Sequence, residues 1–512
     1  MNKVLFYILF LIGLAWGGTH ISSCSLDEDY VLGAKLRFSR DTLFFDTVFT
    51  TLGSATRRFK VYNDADKAIV LKKVRIGGGL ASPFNMNVNG KTGPESSNIE
   101  ILPKDSAYVF VNVNVNPNAL NAPFVIRDSV LFLTDGSTKE QRVILDAWGQ
   151  NAHYLVGNRK AECFQVDQGG GFKVTIGSDF TMTNDRPWVL LGIVIVQNAV
   201  LTIQPGTKVH LFGGPASRCG DKATLILYDN ATLNAVGTTQ NPIEFRTHRT
   251  EYEEIENLSN FQNIPAQNNG IWFLGKTRNN KIEHAIIRNA TYGIYVDSLS
   301  DNGKPKLDIR STKIYNCSEA GILGFQANIY AENVLIYNMA KYDLLLIKGG
   351  DYLFNHCSFL NYGKNTNIYT SRTKPVLSFR NYAVNAQDEE IVRSGSFEFN
   401  NCILYGSRNE EIEMSSRGTA QHRFVFNNCV IRRDTFNRAN RDFNNCVINP
   451  ASKDTLFKNV TEYPEDYSLH PKSPAINTGK TGIINYLGNQ IMTDIINKQR
   501  TDGMPDIGCY EF

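Results

Sequence analysis

Ile287-Arg288-Asn289 is the first of four short phrases that end in asparagine and recur at a nearly constant distance. The other three are Ile314-Tyr315-Asn316, Ile336-Tyr337-Asn338 and Phe359-Leu360-Asn361, which place the asparagine after 27, 22 and 23 residues. Self-similarity at a period of twenty-odd residues is typical of a solenoid, in which each repeat stacks on its neighbour. The remaining question is which secondary structure fills the repeat.

A second polar column, which we call the corner column, lies five residues before each asparagine. Its members are His284, Ser311, Asn333 and His356, followed by Asn401, Asn428 and Asn445 in the phrase Asn-Asn-Cys. Around this column apolar residues alternate with period two, as in Phe397-Glu398-Phe399, which predicts strands. Short strands in a coil of this length predict an all-β parallel β-helix. We expect the corner asparagines to bond amide to amide along the stack.

Two stretches resemble known surface proteins. The phrases Ile193 to Val196, Leu201 to Gly206 and Val209 to Phe212 resemble the opening coils of right-handed parallel β-helix proteins. This resemblance implies a right-handed solenoid over 188–450, after a linker and N-terminal cap over 151–187. The phrases Ser473 to Gly479 and Asp506 to Glu511 resemble the closing segment of β-helix proteins of the choice-of-anchor type. They imply a C-terminal cap over 451–512, with Ile507 and Tyr510 covering the last coil.

Residues 35–150 carry a different pattern. Val109, Val111, Val113 and Val115 alternate with polar or aromatic residues, and turn signals separate several such runs. This pattern predicts an immunoglobulin-like antiparallel β-sandwich without paired cysteines, because residues 25–162 contain none. The runs Phe59 to Asn63, Ile101 to Pro103 and Leu145 to Gly149 resemble the sandwich family named after abnormal-spindle and hydin proteins.

The first residues predict export. An apolar run from Val4 to Trp16 follows Lys3, and it is too short to span a bilayer but suits a signal peptide. Ile21-Ser22-Ser23-Cys24 resembles a bacterial lipobox, which implies a signal peptide over 1–23 and a lipid on Cys24. The acidic residues 27–29, within a tether over 24–34, resemble a signal for display on the outside of a Gram-negative outer membrane. Ordinary secretory cleavage near a chance cysteine is the alternative.

Composition excludes some partners and cofactors. The net charge is +3, and no basic run is interleaved with aromatic residues, so we expect no nucleic acid partner. Four cysteines follow the corner column, namely Cys357, Cys402, Cys429 and Cys446. Stacked Cβ atoms lie farther apart than the ~3.8 Å of a disulfide, which favours free buried thiols. No C-x2-C spacing is present, and we expect no metal or cofactor.

The strands after the asparagine column offer a candidate binding face. If Ile294, Ile322, Leu344 and Ile412 point inward, the outward side chains include five candidate ligand-binding residues: Tyr295, Asp297, Phe325, Glu411 and Glu413. The outward residues Leu323, Phe325, Leu345 and Ile347 would form an apolar patch. We expect partial cover of this patch by an insertion at 249–269 or 365–396.

No residue is predicted to be catalytic. Glycoside hydrolysis requires two carboxylates ~5–9.5 Å apart, and Glu411 with Glu413 could only just supply them. None of the eight histidines stands beside a serine or cysteine in a nucleophile elbow. The leading hypothesis is a non-catalytic lipoprotein at the cell surface that binds glycan or protein. The alternative is a polysaccharide lyase or glycoside hydrolase acting on acidic, plant or host polysaccharide.

Overall fold

The computed structural model describes residues 30–156, 175–213, 222–249, 263–363, 372–420, 422–434, 442–450, 455–461, 464–501 and 503–512. The predicted signal peptide, Cys24 and most of the predicted tether lie outside these residues. Contacts divide the chain into two compact units. The described part of the first unit comprises residues 30–45, Ser54–Asn114 and Ile126–Ala147. The second unit comprises Asp46–Gly53, Val115–Val125 and the chain from Trp148 onward. Among the described residues, no helix is long and apolar enough to cross a membrane.

The N-terminal part consists of ten strands and one short 3-10 turn, Gly79–Ala81. The strands are β1 (Arg37–Phe38), β2 (Thr42–Phe49), β3 (Arg57–Tyr62), β4 (Ile69–Ile76), β5 (Phe84–Val88), β6 (Lys91–Thr92), β7 (Glu95–Ile101), β8 (Ser106–Val113), β9 (Phe124–Thr134) and β10 (Gln141–Gln150). They form two five-stranded sheets, in the orders β1-β3-β8-β5-β6 and β2-β10-β9-β4-β7.

The two sheets pack face to face on alternating apolar residues. Val109, Val111 and Val113 of β8 are fully buried, as the sequence predicts. The ring of Phe59 in one sheet meets the ring of Phe132 in the other at 6.1 Å between centroids. Fully burying such a side chain contributes about 1.5–3 kcal/mol of transfer free energy. The period-two pattern therefore accounts for the antiparallel sandwich.

The strands that follow Gln150 are mostly parallel. They are β11 (His153–Val156), β12 (Thr175–Ile176), β13 (Phe180–Met182), β14 (Trp188–Leu191), β15 (Ile193–Gln197), β16 (Val200–Ile203), β17 (Lys208–Leu211), β18 (Thr224–Tyr228), β19 (Thr232–Val236), β20 (Ile243–Thr247), β21 (Gly270–Phe273), β22 (Asn280–Glu283), β23 (Ala285–Arg288), β24 (Tyr292–Asp297), β25 (Leu307–Arg310), β26 (Lys313–Tyr315), β27 (Ala320–Glu332), β28 (Leu335–Tyr337), β29 (Tyr342–Asn355), β30 (Ser358–Asn361), β31 (Leu377–Arg380), β32 (Tyr382–Val384), β33 (Glu390–Val392), β34 (Gly395–Asn400), β35 (Ile403–Gly406), β36 (Ile412–Ser415), β37 (His422–Asn427), β38 (Val430–Ile431), β39 (Phe443–Asn444) and β40 (Val447–Ile448). A short antiparallel pair, β41 (Phe457–Asn459) and β42 (Asp466–Leu469), follows.

The parallel strands form three stacked faces. The first face comprises β12, β15, β18, β21, β24, the starts of β27 and β29, β31 and β36. The second comprises β13, β16, β19, β22, β25, the ends of β27 and β29, β34, β37 and β39. The third is the eleven-stranded sheet from β11 to β40. Apolar side chains from all three faces fill the interior. The predicted fold class, an all-β parallel solenoid preceded by antiparallel sheets, is confirmed.

The structure differs from the predicted boundaries at two places. β11 pairs in parallel with β14, and β12 pairs with β15, so coil stacking begins at His153 inside the predicted linker and cap. Within the predicted insertion at 365–396, β31 lies in register between β29 and β36. The described remainder of that insertion contains the antiparallel hairpin of β32 and β33. Residues 372–396 therefore belong partly to the solenoid itself.

The corner column owes its residue types to backbone conformation. All seven members, His284, Ser311, Asn333, His356, Asn401, Asn428 and Asn445, have φ between 43° and 52°. Asparagine tolerates this left-handed region better than most residues because its short polar side chain bonds locally. The amide ladder, however, lies one residue earlier than predicted. It joins Asn355, Asn400, Asn427 and Asn444 by side-chain bonds of 2.7–2.9 Å.

The C-terminal segment lies along the third face. Ile507 and Cys509 pack in one cluster with outward residues of that face: Leu335, Leu360, Ile403, Tyr405 and Val430. The Gly508 amide donates to the Asn401 carbonyl at 2.8 Å, and Lys313 of β26 lies 5.9 Å from the Tyr510 ring. The segment therefore packs against outward apolar residues of several coils, from Leu335 of β28 to Val447 of β40. That Ile507 and Tyr510 cover the last coil stays a prediction.

Candidate binding face

The first face of the solenoid presents two outward columns. The parallel register places Trp272, Tyr295, Leu323, Leu345, Ser378 and Glu413 one above another. The neighbouring column contains Asp297, Phe325, Ile347, Arg380 and Ser415. We call Trp272, Tyr295, Leu323, Phe325, Leu345 and Ile347 the apolar stripe. Each of these six side chains is partly exposed.

Strand alternation explains why the stripe faces outward. Ile294, Ile322 and Leu344 are fully buried in the interior, so the residue after each of them must point to the opposite side of its strand. The inward column was predicted, and its burial is confirmed, together with that of Ile412. The stripe therefore consists of side chains that do not pack in the core.

Tyr295 lies at the centre of an aromatic group. Its ring is 5.5 Å from the Trp272 ring at 80° and 6.4 Å from the Tyr292 ring. Burial raises the pKa of Tyr295 to about 12, with a smaller contribution from the Asp297 carboxylate. The phenol therefore stays neutral at physiological pH and can donate a hydrogen bond. Trp272 was not predicted as a site residue, although the phrase Ile271-Trp272-Phe273 has the alternation that places it outward.

Phe325 and Asp297 lie in the neighbouring column. The Lys348 ammonium is 5.1 Å from the centroid of the Phe325 ring, which supplies a cation beside the stripe. The backbone of Asp297 is held by Lys306, whose Nζ donates to the Asp297 carbonyl at 2.5 Å and to the Gly275 carbonyl at 2.6 Å. Burial lowers the pKa of Lys306 to about 8. Polar groups thus border the apolar centre.

Glu411 does not belong to the outward face. Its side chain is fully buried and forms two hydrogen bonds with the guanidinium of Arg372, at 2.5 and 2.6 Å. The backbone amides of Val376 and Arg408 donate to the same carboxylate at 3.0 and 2.9 Å. The expectation that Glu411 points outward is wrong, because β36 begins only at Ile412 and Glu411 occupies the corner before it.

Glu413 is the outward carboxylate of that strand. It is exposed and accepts a hydrogen bond from the Ser378 hydroxyl at 3.0 Å. The two glutamates thus lie on different sides of the backbone. The pair of carboxylates on which the hydrolase alternative depends is not formed by them, because Glu411 is sequestered by Arg372.

Asp343 is a buried carboxylate close to the same corner. It is fully buried, and burial raises its pKa well above the ordinary value, while Arg372 partly opposes this effect. In the parallel register, Asp343 stacks on Gly293 and Gly321 of the two preceding coils. Glu411 occupies the equivalent position two coils after Asp343. Asp343 and Glu411 therefore belong to a buried polar corner, separate from the stripe.

The cysteine column is confirmed in its register. The residues that follow Cys357, Cys402, Cys429 and Cys446 are paired strand partners, and the Cys357 amide donates to the Cys402 sulfur at 3.5 Å. All four are free thiols, and burial raises the pKa of Cys402 well above its ordinary value. No group of three or more potential metal ligands occurs among the residues that the structure describes.

Residues 250–262 and 365–371 belong to the two predicted insertions and lie outside the described chain. The described remainder near the second insertion is the hairpin of β32 and β33, which follows directly on Arg380 at the end of the neighbouring column. Partial cover of the stripe by an insertion therefore stays a prediction.

Comparisons with known proteins give no family. No family model matches the chain, and no curated protein matches it. A family 123 glycoside hydrolase from Clostridium perfringens matches with 11% identity over 23% of this chain and 26% of that chain, with a TM-score of 0.17. The ASH/PapD-like domain of human CEP192 matches with 9% identity over 24% of this chain and 93% of that chain, with a TM-score of 0.17. The periplasmic chaperone SfaE matches with 7% identity over 23% and 58%, with a TM-score of 0.16. At these scores none of them assigns a family or a function.

Proposed function

We propose that this protein is a non-catalytic, lipid-anchored protein of the cell surface that binds glycan through the apolar stripe. The stripe carries the proposal because six large apolar or aromatic side chains stand at adjacent register positions on the solvent side of the solenoid. Monomeric proteins seldom expose contiguous apolar patches beyond a few hundred Å² unless something binds there. A ligand that covers the stripe would remove this surface from water.

Aromatic rings flanked by polar groups suit the two kinds of surface on a sugar. Trp272, Tyr295 and Phe325 offer rigid rings against which the apolar faces of sugars can pack. Asp297 and Lys348 lie at the border, where they can bond hydroxyl groups. The stripe extends over four coils, or about 14 Å at ~4.8 Å per strand. That length accommodates a short run of sugar residues.

A solenoid face also limits the entropic cost of binding. The strands that carry Tyr295, Leu323 and Leu345 are bonded to neighbours on both sides, so the backbone of the site is ordered before a ligand arrives. Preordered sites lose less conformational freedom on binding than loops do. A binding function therefore fits this scaffold without requiring a conformational change.

Anchoring is supported by the sequence alone. The phrase Ile21-Ser22-Ser23-Cys24 after an apolar run predicts a lipid on Cys24, and the acidic residues 27–29 favour display on the outer surface of a Gram-negative outer membrane. Acyl chains would hold the protein by burial of their CH2 groups, without a transmembrane helix. The N-terminal sandwich would then follow the tether directly in the chain.

The test is a glycan array probed with the full-length protein in detergent, with released sugar assayed in parallel. Tyr295→Ala and Phe325→Ala should each weaken binding of the selected glycan by about tenfold, the loss expected for removing one packed aromatic ring. Thermal unfolding of both variants should match the wild type. The control is Trp148→Ala, which removes an aromatic side chain that is 45% exposed outside the stripe.

Three outcomes would overturn the proposal. One is the absence of any bound glycan, and a second is an equal loss of affinity in the Trp148→Ala control. The third is release of sugar by the wild-type protein, which would favour the lyase or hydrolase alternative. A loss of stability in Tyr295→Ala with binding intact would identify the residue as part of the core.

A further inference from the structure

The apolar stripe ends in a pair of cations. Arg380 is the register partner of Ile347 in the next coil, so it continues the column of Phe325 and Ile347. Lys348 directly follows Ile347, and its ammonium is 5.1 Å from the centroid of the Phe325 ring. Both cationic side chains are partly exposed. We call Lys348 and Arg380 the basic end of the stripe.

Neither cation of the basic end has an acidic partner. In the part of the chain that the structure describes, no ion pair joins Lys348 or Arg380 to a carboxylate. Glu413 lies on the next strand of the same face, but its carboxylate accepts a hydrogen bond from the Ser378 hydroxyl. A cation that is partly removed from water without a counter-charge attracts anionic groups.

Other carboxylates of this region are distant from the basic end or bound elsewhere. Asp297 lies at the opposite end of the same column, three coils before Arg380, or about 14 Å at ~4.8 Å per strand. That separation exceeds the Debye length of ~8 Å at physiological ionic strength. Asp351 lies on the part of β29 that belongs to the second face, and Glu390 forms an ion pair with Arg417. The column is therefore negative at one end and positive at the other.

The chemistry of the basic end favours carboxylate or sulfate groups. The planar guanidinium of Arg380 can donate two parallel hydrogen bonds to a carboxylate, and the Lys348 ammonium acts as a point charge. Phe325 and Ile347 stand beside the two cations, so a ligand that places its anionic group here also covers apolar surface. An acidic sugar combines both features, because its ring has apolar faces and its charged group lies at the edge. A free inorganic anion would leave the stripe in contact with water.

We propose that the glycan bound by the stripe is acidic, and that Lys348 and Arg380 contact its carboxylate or sulfate groups. This inference rests on the function proposed above, because it names the class of glycan that the same site takes. The Asp297 carboxylate repels such groups at the opposite end of the column. The anionic groups of the ligand should therefore lie towards Arg380, and its uncharged rings towards Trp272 and Tyr295.

The test measures binding of the full-length protein in detergent to two acidic glycans, oligogalacturonate and chondroitin sulfate. The methyl ester of oligogalacturonate serves as an uncharged glycan, and polyglutamate serves as an acidic polymer without sugar rings. The wild type should bind at least one acidic glycan about tenfold more tightly than the ester, because each partly exposed ion pair contributes a few-fold in affinity. Added salt should reduce this preference. The comparison of acid with ester uses the unaltered protein, so it does not depend on how a variant folds.

Variants then assign the preference to the basic end. Lys348→Gln/Arg380→Gln should bind the acidic glycan about tenfold more weakly and the ester within about twofold of the wild type. The matched control Lys35→Gln/Arg142→Gln removes one exposed lysine and one exposed arginine from the N-terminal part of the chain, and its affinities should stay within about twofold of the wild type. Tyr295→Ala should weaken binding of the acidic glycan and of the ester alike.

The outcomes separate this inference from the proposed function. An equal loss in the control would indicate a net-charge effect and overturn the inference. Wild-type binding of the ester or of polyglutamate as tight as that of the acidic glycans would also overturn it, as would no binding of either acidic glycan at low salt. If Tyr295→Ala binds every probe like the wild type, the stripe is not the binding site, and the proposed function fails together with the inference.

Discussion

Asn401 exchanges two hydrogen bonds with the backbone of Lys480, in the manner of a strand partner. Its side-chain amide donates to the Lys480 carbonyl at 2.9 Å, and its side-chain oxygen accepts from the Lys480 amide at 2.7 Å. Asn333 and Asn428, in the same corner column, donate to the carbonyls of Thr493 and Thr478. The corner asparagines therefore fasten the C-terminal segment along the solenoid.

The first prediction concerns this fastening. Asn401→Ala should lower the free energy of unfolding by about 3 kcal/mol, from two lost hydrogen bonds and the strain of alanine at positive φ. Asn445 has the same backbone conformation, with φ of 52°, but is exposed. Asn445→Ala should therefore cost only about 1 kcal/mol, which is the strain of alanine at positive φ without the loss of the two hydrogen bonds. Urea unfolding of both variants measures the difference, and equal losses would contradict the role given to Lys480.

The second prediction concerns the buried pair of Arg372 and Glu411. Their side chains are 4% and 0% exposed, so Glu411→Gln leaves a buried guanidinium without its counter-charge. We expect a loss of about 3–5 kcal/mol in unfolding free energy. Glu319→Gln breaks the exposed bridge to Lys341 and should cost under ~1 kcal/mol. A Glu411→Gln protein as stable as the Glu319→Gln control would show that the pair does not stabilise the corner.

The third prediction concerns the lipid anchor. Cys24→Ala should remove the acylation site, so the variant should lose incorporation of labelled fatty acid and accumulate as an uncleaved or soluble protein. Fractionation of the cell envelope and mass spectrometry of the N-terminal peptide measure both effects. Cys446→Ala serves as the control, because that thiol stands in the solenoid column. Unchanged membrane partitioning of Cys24→Ala would refute lipidation.

Local patterns were sufficient to predict the solenoid and much of the stripe. The alternation around Ile294, Ile322 and Leu344 depends only on strand geometry, which is why the inward column and the outward Tyr295 and Phe325 follow from the sequence. The cysteine column follows for the same reason. The period of the polar corners reflects positive φ, a local property of the chain.

Contacts between distant segments account for what the sequence did not predict. The alternation in Glu411-Ile412-Glu413 suggests two outward glutamates. Arg372, which binds Glu411, is 39 residues away in the sequence, and nothing in the local sequence indicates that the two residues meet. The sequence does indicate, however, that another segment packs against the outer side of the third face. Leu335-Ile336 and Ile403-Leu404 are apolar on both sides of the strand, and such strands are buried on both faces.

The last prediction concerns pH and His210. The ring is buried and its Nδ1 lies 3.0 Å from the Thr247 carbonyl, so the neutral ring can donate there. Burial lowers the pKa of His210 to about 3, and the nearby Arg246, His248 and Lys208 add to this effect. In the unfolded chain the imidazole has a pKa of about 6.5.

The sign of the effect follows from proton uptake. Above pH 6.5 His210 is neutral in the folded protein and in the unfolded chain. Below pH 6.5 the unfolded chain binds a proton at this residue, whereas the folded protein binds one only near pH 3. The contribution of His210 to the free energy of unfolding should therefore fall by about 1.4 kcal/mol per pH unit below that point, or by about 2 kcal/mol between pH 7.5 and pH 5. His210→Gln should remove this part of the pH dependence.

Urea unfolding at pH 7.5 and pH 5 measures the effect in the wild type and in two variants. His210→Gln should lose about 2 kcal/mol less than the wild type over this interval. His422→Gln, at an exposed histidine of β37, should follow the wild-type dependence. If His210→Gln and the wild type lose the same free energy, another group governs the acid sensitivity, and the buried His210 must instead take up its proton in the folded state.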